Sequence, residues 1–338
     1  CQSIGNGHVQ HTAPFMGGGG GPAGWGGAIA VVPYEMYKIY GDKETFRRYL
    51  PKILRYFDYL DSRSSGGLVC REEEGGWCLG DWCPPEQITI CEPFVNTALY
   101  VKQMMMTKEA SEAIGESETA AMLEKRIEEK KQAILNAYYS PQTGSFIGDA
   151  QGANSFAIDI GLGGERAFNN TKKKYDAADA FDTGIFGTDI LTRVLFERGC
   201  ADTAFHLLTS TGKGSFYNMK KQGATTIWEN WDGERSHSHP MFGAVTRYLF
   251  SFILGITQEK NSAGYEKIVI APQIPDGLNR ASGHITTVRG EIAVSFIRTE
   301  REMDFYVTVP QKSWFTYGSD CEYELWEGEN HIHIDFEE

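Results

Sequence analysis

Glu229 lies between Trp228 and Trp231 in residues 225–243, TTIWENWDGERSHSHPMFG, with His237 and His239 close behind. Burying a carboxylate is unfavourable by several kcal/mol unless it has partners or chemistry to perform. The two indoles offer flat apolar faces on which a pyranose ring stacks well. Glycoside hydrolysis uses one carboxyl as acid and another as base or nucleophile, so Glu229 reads as half of such a pair. The alternative is a helix cap or a solvated glutamate beside two packing tryptophans. Behind this loop, Pro240-Met241-Phe242-Gly243 leads into the apolar run Val245 to Ile256. A polar loop thus feeds a helix expected over Phe242 to Leu254 and buried on most sides.

Further motifs follow one order along the chain. Pro22 to Tyr40 reads PAGWGGAIAVVPYEMYKIY and is followed by Gly41-Asp42; Gly80-Asp81-Trp82 comes next, then Thr183-Gly184-Ile185-Phe186-Gly187-Thr188, and finally Ile268-Val269-Ile270-Ala271-Pro272-Gln273-Ile274. With TTIWENWDG and the later His239-Pro240-Met241-Phe242-Gly243, this set resembles the bacterial α-L-rhamnosidases of glycoside hydrolase family 78, over nearly the whole chain.

The resemblance implies inverting hydrolysis of a terminal α-L-rhamnoside, with Glu229 as the general base. Inverting enzymes hold their two carboxyls about 6.5–9.5 Å apart to admit the attacking water. Trp25, Trp82, Trp228 and Trp231 would shape the sugar pocket, and Asp81 and His239 would bond ring hydroxyls. Ser238 stands where the family usually has Asn. The family carries its general acid in D-x-x-x-R-E-x-x-x-W-x-x-D, upstream of the W-G-x-A helix, so the acid is expected outside this chain. Arg71-Glu72 followed by Trp77 and Asp81 is a poor copy of that motif, each interval one residue too long and Gly67 in place of its leading Asp. Glu72 to Glu74 reads more simply as a solvated loop. Two other readings stay open: a different inverting glycosidase on the same toroid, or a carbohydrate-binding protein that keeps the pocket without the acid.

Helices must carry these loops. Apolar residues recur at helical spacing over Ala28 to Tyr40, Lys43 to Leu60, Phe94 to Met106, Ser111 to Ala137, Ile185 to Arg198 and Ala201 to Leu208. Helical hairpins with Trp- and Gly-rich loops at one end suggest a toroid of paired helices, the (α/α)6 barrel that the resemblance also implies. Twelve helices need on the order of 300 residues, and about 260 are available, so the toroid is expected to be incomplete on its N-terminal side. After Gly264, the segments Lys267 to Ile270, Ile292 to Thr299, Asp304 to Val309 and His331 to Phe336 alternate as strands, predicting a small antiparallel β-sandwich. The expected division is a barrel at 1–257 and the sandwich at 258–338. Asp182 reads as the N-cap of the helix beginning near Ile185.

With 338 residues, 41% of them hydrophobic, the chain can bury a substantial core. A net charge of −13 argues against nucleic acid and suits a neutral carbohydrate. No apolar run approaches membrane-spanning length and no signal peptide follows Cys1; a periplasmic or extracellular site is the expectation. Among seven cysteines, Cys70, Cys78, Cys83 and Cys91 crowd one region without C-x-x-C spacing, so ordinary buried thiols are expected ahead of a disulfide among them, with no metal and no cofactor. Gly17 to Gly21 has no Lys-Ser/Thr after it and reads as a permissive loop, not a phosphate cradle. His237 is expected to face solvent or a backbone carbonyl, Trp77 either the pocket or its own loop, and His8 and His11 have no assigned role. Glu329, His331 and His333 alternate along the last strand, which places them on one sheet face.

Overall fold

The computed structural model describes residues 2–12, 23–70, 80–318 and 321–336. Gly17 to Gly21, Arg71 to Glu74, Trp77 and Cys78 lie outside the described residues.

The helices in chain order are α1 Ala23–Gly26, α2 Ala28–Tyr40, α3 Lys43–Ser62, α4 Glu92–Ala113, α5 Ser117–Tyr138, α6 Ala153–Asp159, α7 Gly164–Asp176, α8 Ile185–Glu197, α9 Ala201–Thr209 and α10 Phe216–Lys221. An irregular helical run from Pro240 to Ile253 follows. Successive inner elements α2, α4, α6, α8 and this last run pack side by side, while α3, α5, α7 and α9 each back onto one of them. This is the arrangement of an (α/α)6 six-hairpin toroid. Burial patterns explain the two layers. Inner helix α4 is buried on every face, from Phe94 through Val95, Ala98, Tyr100 and Val101 to Ala110, whereas outer helix α5 buries only the stripe Ala120, Leu123, Ile127, Lys130 and Ile134. An element enclosed on all sides must be apolar all round; one roofing the ring needs a single stripe.

Charges cross the inner ring. Asp159 on α6 receives Lys102 of α4 at 2.7 Å and both terminal nitrogens of Arg193 on α8, and its side chain is 2% exposed. Burial drives the Asp159 carboxyl upward, but the Arg193 and Lys102 charges outweigh it and hold the group below its usual range. Asp189 of α8 is bonded in turn by Arg247 and Tyr248 from the final run.

Differences from the sequence expectation have local causes. One break falls at Ile114–Glu116, where Gly115 takes φ +86° and Glu116 N–H closes back onto Ser111 O, so the expected helix over Ser111 to Ala137 belongs to two helices. The segment Phe242 to Leu254 is not a regular helix. It runs as a 3-10 helix, Pro240–Val245, one α turn, and a π turn, Leu249–Ile253, because Leu254 N–H bonds Leu249 O and Phe252 O is taken by Gln273 N–H of the following domain. Nor is it buried on most sides, since Leu249 and Phe250 remain exposed.

Short strand pairs join some helices: β1 Ser64–Ser65 with β2 Leu68–Val69, and β3 Tyr139–Ser140 with β4 Ser145–Phe146. Two four-stranded sheets then form the C-terminal unit. Its strands are β5 Ile256–Gln258, β6 Ile268–Ile270, β7 Arg280–Thr287, β8 Gly290–Arg298, β9 Glu302–Val309, β10 Ser313–Tyr317, β11 Cys321–Leu325 and β12 Gly328–Asp335. The orders are β11-β10-β6-β5 and β12-β9-β8-β7, antiparallel except for the β6–β10 pair. Period-two alternation turns Ile292, Val294 and Phe296 of β8 and Met303, Phe305 and Val307 of β9 inward, and Phe305 meets Phe315 of the other sheet edge-on at 4.9 Å. The sandwich docks on the helices through Lys38, whose ammonium donates to Lys260 O and Ser262 O and whose carbonyl accepts from Gly264 N–H. Among the described residues no helix is long and apolar enough to cross a membrane.

Candidate active site

Loops at the N-terminal ends of the inner helices gather the chemistry. The excursion after α10 is closed on itself: Glu229 N–H bonds Ser236 O at 2.9 Å and His239 N–H bonds Ile227 O at 2.9 Å. Trp231 anchors it. Its ring is 2% exposed, lies parallel to Phe181 at 5.9 Å and against Phe242 at 4.2 Å, and its N–H donates to Thr183 O. Trp228 is also buried, stacked at 4.4 Å under the His237 imidazole. Gly233 is obligatory beneath it, because φ is +78° and a Cβ would sit 2.4 Å from the indole. His237 Nε2 reaches Gly233 O at 2.8 Å, as one branch of the sequence reading had it.

Between these anchors Glu229 is half-buried. Its Oε1 accepts from the Trp82 indole N–H at 3.3 Å, and Oε2 lies 3.4 Å from Ser236 N. The Arg235 guanidinium sits 5.0 Å above the Trp82 ring. Cys83, held at φ +61°, donates its thiol to Asn230 Oδ1 at 3.2 Å, so the residues beside Trp82 and Glu229 are tied together as well. Burial, followed by the Glu229 charge, pushes that thiol up to about 12, which keeps it protonated and a donor.

Asp81, expected to bond a sugar hydroxyl, has its carboxylate engaged within the protein. It is 1% exposed, and its carboxylate accepts from three backbone amides at the start of α8: Gly184 N–H at 2.7 Å, Phe186 N–H at 2.9 Å and Gly187 N–H at 3.1 Å. Burial pushes this carboxyl up to about 7 against the three amides, which favour the anion. Asp81 is therefore the cap that Asp182 was expected to be, reaching the helix from another loop. Asp182 instead accepts from Tyr175 Oη at 2.6 Å and pairs with Lys174 at 2.8 Å. Trp231 is engaged in the same way, its ring packed among Phe181, Phe216 and Phe242. Trp228 has one face taken by His237 and also serves the loop.

Trp25 and His239 differ from these. Trp25, half-buried on α1, meets Phe186 edge-on at 5.5 Å, beside the Asp81 cap. Its Nε1 and the Nδ1 of His239 are shielded from solvent and have no hydrogen-bond partner among the described residues. Such polar atoms are expensive to leave unmatched and mark places for a polar ligand.

The sequence reading missed Ile147–Gly152. Here Ile147, Gly148, Asp149, Gln151 and Gly152 all take positive φ, and the Gln151 side chain accepts from Thr89 N–H and Ile90 N–H and donates to Gln87 O. The segment thereby splints the loop that carries Trp82. Buried Asp149 accepts from Asn154 N–H, and burial raises its carboxyl to about 6 despite the Lys174 charge. Gly148 and Gly152, flanking an Asp and a Gln, were the available signal. Cys83, Cys91, Cys200 and Cys321 are free thiols.

Paired helices in a ring, with a tryptophan-held carboxylate among the loops at one end, define a class, the six-hairpin glycosidase domains. The chain matches the model of the bacterial alpha-L-rhamnosidase six-hairpin glycosidase domain over residues 2–253 and that of the bacterial alpha-L-rhamnosidase C-terminal domain over 255–316, and it belongs to this family. An alpha-L-rhamnosidase of Alteromonas sp. (strain LOR) is 26% identical over 314 residues, covering 85% of this chain and 33% of that protein. One from Streptomyces avermitilis is 28% identical over 305 residues, covering 85% of this chain and 28% of its own length. The chain thus spans about a third of the curated relatives it matches. In structure, the Streptomyces avermitilis enzyme complexed with L-rhamnose superposes with a TM-score of 0.85 at 23% identity, over 98% of this chain and 35% of that one. The Dictyoglumus thermophilum alpha-L-rhamnosidase gives 0.87 at 18% identity, over 99% and 42%.

Proposed function

We propose that the protein carrying this chain hydrolyses terminal α-L-rhamnosides with inversion, and that Glu229 is its general base. The observation that carries the reading is the Trp82–Glu229 contact: a half-buried carboxylate oriented by an indole N–H, in a member of the rhamnosidase family. The base draws a proton from water, which attacks the anomeric carbon, while a general acid protonates the departing oxygen. Trp82 and Trp25 provide ring faces to the sugar. Trp25 Nε1 and His239 Nδ1 meet its hydroxyls, which supplies the partners these atoms lack among the described residues. Asp81, Trp228 and Trp231 act on the sugar only through the loops they hold.

The test is a Glu229→Gln substitution in the full-length gene product, assayed on p-nitrophenyl α-L-rhamnoside beside other aryl glycosides. General-base loss predicts a fall in kcat of about 10²–10⁴-fold with a small change in KM. Unchanged kcat would remove Glu229 from the chemistry. An untouched rhamnoside beside a cleaved alternative would overturn the substrate.

A further inference from the structure

The outer face of the β12-β9-β8-β7 sheet is hollowed, and strand register fixes what lines the hollow. Antiparallel pairing sets Ser282, Ser295, Tyr306 and His331 in one row across the four strands, and His284, Ala293, Thr308 and Glu329 in the next. Their neighbours along β8 and β9, Val294, Phe305 and Val307, are buried in the sandwich core, so both rows face outward. Short side chains at Ser282, Ala293 and Ser295 leave a groove of about 860 Å³. Small-ligand sites span about 300–1,000 Å³.

Tyr306 walls this groove. Its ring lies parallel to the His331 imidazole, with 9° between the planes and 4.8 Å between the centroids. Neighbouring strands are about 4.7–4.9 Å apart, so the two rings stand upright side by side, one on each strand. His331 backs Tyr306 from β12, and its own ring is fixed by a contact of 2.7 Å between Nε2 and Asp304 Oδ1. The opposite face of Tyr306 is thereby turned toward Ser295 and the groove, and the residue is 49% exposed. A rigid aromatic wall stands over a floor that carries the hydroxyls of Ser282, Ser295 and Thr308, with the His284 imidazole beside them. A pyranose matches both surfaces: its C–H face packs on the ring, and its hydroxyls exchange donors and acceptors with the floor.

Charge and polarity narrow the occupant further. Among the described residues Glu291 and Glu329 line the groove and no Lys or Arg does, which disfavours phosphate, sulfate or nucleic acid. A hydroxylated floor is a poor bed for an apolar side chain. An added peptide strand would pair with the sheet edge and not with its face.

We propose that this groove is a second carbohydrate-binding site, which holds a short run of neutral pyranose units of a glycan with Tyr306 as its platform. Binding there does not depend on the role of Glu229. Its benefit to catalysis does rest on the proposed glycosidase reading: a polymer held on the sandwich presents its termini to the catalytic loops at a raised local concentration.

The experiment is affinity electrophoresis of the full-length protein, carrying Glu229→Gln to stop cleavage, in native gels that contain neutral rhamnan, arabinogalactan or β-glucan. At least one of these polymers retards the protein. Adding Tyr306→Ala, or Ser295→Trp to fill the floor, abolishes the retardation, and Tyr306→Phe, which keeps the ring, retains it. With Glu229 intact, Tyr306→Ala cleaves p-nitrophenyl α-L-rhamnoside at the wild-type rate. The proposal is overturned if no neutral polymer retards the protein, if only polygalacturonate does, or if retardation survives both Tyr306→Ala and Ser295→Trp. Failure to cleave any aryl glycoside would count against the glycosidase reading alone, because the gels still decide the groove.

Discussion

Gly184→Ala isolates what the Asp81 cap contributes. Gly184 has φ −85°, which alanine accepts, so the substitution acts through contact and not through its own backbone. A Cβ there would sit 2.3 Å from Trp82 O and 2.8 Å from the Asp81 carboxyl. Ordinary C···O contacts are about 3.3–3.6 Å, so the Asp81-Trp82 backbone must retreat by roughly 1 Å. That movement stretches the Gly184 N–H bond to Asp81, now 2.7 Å, and the Ile185 N–H bond to Trp82 O, now 2.8 Å. Weakening one bond to a charged acceptor and one neutral bond removes about 2–4 kcal/mol, and the lower chain entropy of alanine returns about 0.4–1 kcal/mol. The expected net loss is about 2–3 kcal/mol, read as a shift of the urea midpoint at pH 8. Gly243→Ala is the control, because its Cβ meets only Ile227 Cγ1 at 3.6 Å, and it should stay within about 0.5 kcal/mol. In the full-length protein Gly184→Ala should also lower kcat, since it draws the Trp82 indole away from Glu229. If the two alanine variants are equally stable, the cap does not hold this loop and the reasoning fails.

Other substitutions follow from the same geometry. Trp231→Ala empties an aromatic cluster and should cost about 3–5 kcal/mol, whereas Trp82→Ala, half-buried, should cost far less and reduce rhamnoside turnover; equal stabilities would refute the anchor role. Asp159→Ala leaves Lys102 and Arg193 facing each other without their anion, and a loss of about 3–5 kcal/mol is expected in denaturant unfolding. For Asp149 the sign follows from a folded pKa raised to about 6, above the unfolded value of 3.8. The wild type should therefore lose about 2–3 kcal/mol of stability relative to Asp149→Asn as pH rises from about 4 through 6. Parallel pH curves for the two proteins would contradict this.

The first helical hairpin was legible because apolar residues recur at helical spacing in both of its members: inner Ala28–Tyr40 was read with both of its ends, and outer Lys43–Ser62 to within two residues of its last turn. Helices α6 and α7 escaped. The first is too short and too evenly buried to show a period, and in the second the stripe begun by Ala167 and Phe168 continues only through Thr171 and Tyr175, inside the polar run NNTKKKYD. Strands β8, β9 and β12 stood out by alternation, while β7 has no fully buried position to mark it. At the site, residue type identified Glu229, Trp82 and His239 as candidates but did not separate a tryptophan that lines a pocket from one that plugs a core.

Sequence by itself determined the layered helical plan, the change to strands after the ring, and the presence of a carboxylate among tryptophans, since periodicity and residue chemistry are local properties. Only the tertiary structure decided which groups are spent on each other. Asp81 could be assigned to amides at the start of α8, Trp231 to the Phe181 cluster and Glu229 to the Trp82 indole only once the chain had brought together loops that lie 103, 50 and 147 residues apart in sequence. Hydrogen bonds and ring contacts act over a few ångströms, so their partners are fixed by folding and not by spacing along the chain.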